Sequence, residues 1–149
     1  MSSLFNASDR EAIASRLSSL QPASARQWGK MDVAQMLAHC AVAFDVPCGD
    51  LVRKQAFMGR LIGPFVKKSL MSGKPMMRNA PAPPDFKVVN ERDFAREHQR
   101  LSSKMVRFCE RGESACHGVV HPFFGAMTGD EWGRLMYSHL DHHLRQFSA

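Results

Sequence analysis

Four stretches of the chain repeat apolar residues every three or four positions, and the segments between them carry residues that interrupt helices. In the first, Ile13, Leu17 and Leu20 follow Ser8 and Glu11, an S-x-x-E pair that predicts a reciprocal cap at a helix start. "QPASARQWG" ends that helix with proline and small polar residues. The second runs from about Asp32 to Asp45, with Val33, Met36, Leu37, Cys40 and Phe44 as its apolar stripe, and stops at "VPCGD". The third spans roughly 91–111, with Asn90 as the expected cap and Asp93 at the third helical position. Its residues Phe94, His98, Leu101, Met105 and Phe108 form one narrow seam. The fourth opens on a second capping box, Thr128 with Glu131, and runs to about Phe147.

Residues 51–89 are less regular. "LVRKQAFMGRLI" and "PFVKKSLM" read as two short helices parted at Gly63–Pro64, and the proline-rich "SGKPMMRNAPAPPDF" favours extended, partly polyproline backbone. "RGESACHGVVHPFFGAM" reads as a loop, and "FKVV" and "HGVV" are too short to build a sheet. The pattern predicts an all-α fold: a four-helix bundle with a long crossover between its second and third helices, in a single domain over residues 1–149.

Composition adds limits. With 149 residues, 44% of them hydrophobic, the chain can bury a core without covalent staples. Cys40, Cys48, Cys109 and Cys116 make no C-x-x-C pair, and "MSSLFNASDREAIA" has no charged leader before an apolar run. Reduced thiols in a cytoplasmic protein are therefore expected. The formal charge of +6 admits nucleic acid, an anionic membrane surface or an acidic small substrate. Yet the cations are spread from Arg53 to Arg107 without a dense tract, and no recognition-helix pattern accompanies them. No apolar run approaches the roughly 18 residues of a membrane span. Neither nucleic acid nor membrane is expected as a partner.

The last helix changes the picture. "YSHLDHHLRQFSA" places His139, His142 and His143 within five positions. Trp132, Leu135, Met136, His139, His143 and Gln146 follow core-facing spacing, so His139 and His143 continue an apolar stripe about 40° apart, one turn above the other. His142 lies at the edge of that stripe and Asp141 points away. Buried imidazoles need partners, and two at this spacing can turn toward one ion. His39, beside the stripe of the second helix, is the best third ligand; His98 is its rival, while His117 and His121 sit in the loop before the last helix. Leu140 stands where an H-E-x-x-H motif would need glutamate, and E-x-x-H pairs are absent. A histidine-rich, carboxylate-poor set suits Zn, Ni, Fe or Cu rather than Mg or Ca.

"WGKMDVAQMLAHC", with His39, and "HPFFGAMTGDEWGRLMYSHLDHHLRQF", with His139 and His143, resemble the DinB-like (DinB/YfiT) superfamily of metal-binding four-helix bundles. Within it the chain is similar to a branch catalogued as a domain of unknown function, marked by "HPFFG" and "HLDHHLRQF". The resemblance implies that His39, His139 and His143 close on a divalent metal, typically Zn or Ni. It also implies the crossover, frequent homodimers, and relatives that act as transferases or isomerases dependent on bacillithiol, mycothiol or glutathione.

Three neutral imidazoles leave a coordination position open. A small thiol there would have its pKa lowered from about 8.5 and react as thiolate. A water there would have a pKa near 7 and attack an ester or amide, with a carboxylate to manage protons. No such carboxylate can be placed: Asp32 is two turns from His39 and Asp45 lies beyond the helix end. The expectation is a thiol-dependent, glutathione-type transferase acting on a small electrophile. A metal-dependent hydrolase and a non-catalytic metal- or ligand-binding stress protein are the alternatives. His121 is a candidate proton carrier at the mouth of the site, or a residue that shapes the approach to the last helix. Lys54, Arg60, Lys67, Lys68 and Arg78 are candidates to meet substrate carboxylates, and Trp28, Phe123 and Phe124 to wall the pocket.

Overall fold

In the computed structural model, which describes residues 1–78 and 87–149, five helices carry most of the chain. They are α1 (Ala7–Ser19), α2 (Val33–Ala43), α3 (Phe57–Met71), α4 (Phe94–Ala115) and α5 (Gly129–Gln146). The architecture is all-α, apart from a two-residue antiparallel ladder, β1 (Val120–His121) with β2 (Gly125–Ala126), in the loop before α5.

α2 and α5 begin where the sequence predicts. The Asp32 side chain accepts from Gln35 N at 2.8 Å while Gln35 Oε1 accepts from Asp32 N at 3.0 Å, and Thr128 with Glu131 repeats the arrangement. Because α2 carries His39, its start matters to the site. Asp32→Ala should lower stability by about 1 kcal/mol. For a chain of this size that is about 2–4 °C in the midpoint of a thermal melt followed by circular dichroism.

Two other caps differ from expectation. α1 is capped by Asn6, whose side chain accepts from Ser8 N and Asp9 N, so Ser8 lies inside the first turn and donates its hydroxyl to Asn6. α4 is capped by Asp93, which accepts from Arg96 N at 2.8 Å; Asn90 instead offers its carbonyl to the Gln35 amide. In both places two good capping residues lie close together, and composition does not decide between them. α4 reaches Ala115, but Gly112, at φ 78° and ψ 166°, interrupts it one residue past the expected end.

α3 is one helix rather than two. Pro64 sits inside it and removes one intrahelical donor. The residue before it is Gly63, which has no Cβ to collide with the proline ring, so the helix passes through. Part of the expected polyproline stretch, residues 79–86, lies outside the described residues.

α2 packs against α4 and α5, and α1 and α4 pack against α5. Ile13, Leu17, Met36, Leu37, Leu101, Met105, Trp132, Met136, Leu140 and Leu144 fill the space between them. Phe108 is fully buried, stacked on Phe5 at 4.8 Å and edge-on to Phe44 at 5.5 Å. The buried face of α5 is wider than its sequence stripe: Leu140 and Leu144 share it with His143. His139 and His143 thus lie along one margin of the core, where α5 faces α2.

Candidate metal centre

His39 looks inward from α2, and His139 and His143 meet it from α5 one turn apart. His39 Nε2 and His139 Nε2 are 3.0 Å apart. The ring centroids make a nearly regular triangle: His39–His139 5.0 Å, His39–His143 4.8 Å, His139–His143 4.8 Å. The planes are inclined by 60°, 71° and 89°, so the rings converge edge-first instead of stacking. One nitrogen from each residue lies within 4.8 Å of the other two. Among the described residues no other trio of His, Cys, Asp or Glu side chains converges in this way.

Burial keeps the His139 and His143 rings neutral, each with a lone pair to offer. It drives the His143 pKa down to about 3, helped by the neighbouring His39 ring and opposed by a hydrogen bond to Gln146. His139 is pushed well below the usual imidazole range by burial first and then by His143 and His39. Both are neutral at pH 7.

The tautomer of His143 follows from its partner. Gln146 Nε2 donates to the Trp28 carbonyl at 2.7 Å, which leaves the acceptor Oε1 facing His143 Nδ1 at 2.9 Å. Nδ1 therefore carries the proton and donates it, and Nε2 holds the free lone pair. Gln146 stands at a core-facing position in the sequence stripe, but nothing in that pattern marks it as the residue that orients His143. The only signal available was its spacing, three residues after a candidate ligand. Gln146→Leu should fill the space, lose this orientation and weaken metal affinity about 10–100-fold in a chelator competition.

The remaining histidines are engaged elsewhere. His98 Nε2 donates to the Leu17 carbonyl at 3.0 Å, which removes it as a rival ligand, and His117 is exposed. His142 packs edge-on to Trp28 and to His143. His121 Nδ1 accepts from both Phe123 N and Phe124 N at 3.1 Å, holding the turn between β1 and β2. Its proton then sits on Nε2, and burial with the nearby Lys67 charge lowers its pKa to about 4. A proton-carrying role would fall to Nε2 alone.

The sequence of these elements also has a counterpart among known families. The family described as Protein of unknown function (DUF1569) matches residues 3–149. The chain belongs to that family. No curated protein and no solved structure matches it.

The three histidines of this DUF1569 chain could hold a metal ion. Two nitrogens bound to one ion at about 2.0–2.1 Å stand about 2.9–3.4 Å apart for angles between square and tetrahedral, and the His39–His139 separation falls in that range. His139 Nδ1 is buried and has no hydrogen-bond partner among the described residues, which leave the ring not fully satisfied. Three imidazole nitrogen donors without a carboxylate match the borderline-soft transition ions.

Beside the centre lies an open cleft of about 490 Å³, lined by Gln27, Trp28, Pro75, Met76, Arg78, His142 and Arg145. The Arg78 guanidinium lies 4.2 Å above the Trp28 ring, and Arg145 is paired with Asp141. Trp28 and Arg78 thus meet at this cleft, as the sequence allowed. Phe123 and Phe124 belong instead to the turn beneath α3, and Lys67 is committed to Glu131 at 2.6 Å.

Proposed function

We propose that this DUF1569 protein is a metal-dependent enzyme of the DinB-like (DinB/YfiT) four-helix-bundle type. In this reading His39, His139 and His143 hold a divalent transition ion, zinc or nickel. The reaction joins a small external thiol of the glutathione kind to an electrophile. The convergence of one imidazole nitrogen from α2 and two from α5 within 4.8 Å carries the reading.

A bound ion would supply the Lewis acidity that keeps a thiol sulfur ionised at neutral pH. The chain's own groups favour a thiol over water as the nucleophile. The carboxylates that might serve as a base near these helices are already engaged. Asp32 caps α2, Asp45 and Asp50 hold Lys104, Asp141 holds Arg16 and Arg145, and Glu97 lies between Arg92 and Arg100. Nor do the protein's own cysteines offer a thiolate: burial raises Cys40, Cys48, Cys109 and Cys116 alike, Cys48 to about 11. The sulfur must come from outside. Arg78 and Arg145 in the adjoining cleft give the carboxylates of such a thiol a cationic wall.

The test is turnover of an activated aryl halide by metal-loaded and chelator-stripped protein, with and without glutathione. Conjugate formation that needs both metal and thiol supports the transferase. Thiol-independent cleavage of a nitrophenyl ester would make the protein a hydrolase, and stoichiometric metal with neither reaction would make it a binding protein.

A further inference from the structure

α3 is inside out. Its small residues face the protein and its large apolar residues face away. Gly59 and Gly63, one turn apart, lie so close to the turn after β1 that a Cβ at either would collide with the Phe123 carbonyl oxygen. Lys67 reinforces that seam through Glu131 and the Ala126 carbonyl. On the opposite side Phe57, Met58, Leu61, Ile62, Phe65 and Val66 form a continuous stripe at i, i+4 and i+8 spacing. All are exposed, Phe57 by 73% and Phe65 by 77%. From typical side-chain areas the stripe presents several hundred Å² of apolar surface, at the upper end for a chain with no partner there.

The charge around that stripe is one-sided. Counted by segment rather than by run, residues 51–78 hold seven cations (Arg53, Lys54, Arg60, Lys67, Lys68, Lys74 and Arg78) and no Asp or Glu. The chain has 20 cations and 14 acids, so 13 cations and 14 acids remain outside the segment. The whole positive excess of the protein lies in and around α3.

We propose that α3 docks the protein on an anionic phospholipid surface. The helix lies in the plane of the headgroups with Phe57, Leu61 and Phe65 inserted, while Lys54, Arg60, Lys68 and Lys74 meet the lipid phosphates. The charge argues against a second copy as the occupant. An isologous contact would bring the exposed Lys54, Arg60, Lys68 and Lys74 of two copies together, and the segment has no Asp or Glu of its own to offset them. A search for apolar runs does not find this device, because cations interrupt the stripe in sequence while leaving it whole in space.

Cosedimentation with vesicles tests the proposal. The full chain should bind vesicles containing phosphatidylglycerol and leave pure phosphatidylcholine vesicles in solution, and 0.5 M salt should weaken binding several-fold, as screening requires. Phe57→Ser/Phe65→Ser and Lys68→Glu/Lys74→Glu should each reduce binding at least about tenfold with an unchanged thermal midpoint, since these side chains are exposed. Equal binding to neutral vesicles, or none to anionic ones, overturns it. So does a dimer in sedimentation equilibrium that Phe57→Ser/Phe65→Ser dissociates, which would assign the stripe to a second copy.

Discussion

His39→Ala is expected to strip the protein of its metal while leaving its helices in place. Purified without an affinity tag, the unaltered chain should carry about one zinc or nickel per molecule by elemental analysis. The variant should carry none, with an affinity at least about a hundredfold weaker in competition with a chelator. That lower bound follows from magnitude: a group one shell out from a metal is already worth about 10–100-fold, and a direct ligand is worth more. His143→Ala should behave the same way, because its Nε2 lone pair is the one directed by the Gln146 and Trp28 chain. The fold should survive either change, since each ring lies at the margin of the core and not among the leucines that fill it. His98→Ala is the control. It loses the bond to Leu17 and should keep its metal. Full occupancy in His39→Ala would end the three-histidine reading.

What could be read from residues alone follows a physical dividing line. Periodicity located α2 and α5 nearly to the residue, and each opens on a reciprocal capping box, Asp32 with Gln35 and Thr128 with Glu131. Where two capping residues stand close together, as at Asn6 and Ser8 or Asn90 and Asp93, only the geometry chooses. The convergence of His39 with His139 and His143 was readable in part: spacing put two rings on one face, His39 stood as the best third ligand with His98 as its rival, and the family resemblance pointed to His39. The orienting bond from Gln146 was not, since it runs through the Trp28 carbonyl, a backbone group 118 positions away that no side-chain pattern marks. α3 was misread for a related reason. Gly63–Pro64 is a strong break signal taken locally, but the glycines serve a close backbone approach to Phe123, a contact that sequence spacing does not encode.

Acid should destabilise the metal-free protein well above the range where carboxylates titrate. His121 is the cleanest contributor, because its Nδ1 is spent accepting two backbone N–H groups and a proton there would break both bonds. Its folded-state pKa of about 4 lies below the usual imidazole value of 6.5. A depressed imidazole pKa means the unfolded chain binds the proton more readily. Its contribution is therefore fully present above about pH 6.5, falls as the pH drops through the window between 6.5 and 4, and is gone below it. The shift corresponds to about 3 kcal/mol at most, lost at up to about 1.4 kcal/mol per pH unit. His143 and His139, also depressed, act with the same sign, so the total slope should exceed that of one proton. Urea unfolding in the presence of chelator at pH 7, 6, 5 and 4 measures it directly. His121→Asn is the decisive variant, since the Asn Oδ1 occupies nearly the place of Nδ1 and can accept from the same N–H groups without titrating. It should remove about one proton's share of the slope between pH 6.5 and 4 and leave the loss below pH 4 unchanged. A slope identical to that of the unaltered chain would mean that His121 takes up no extra proton on unfolding, and that the turn before α5 is held by something other than its ring.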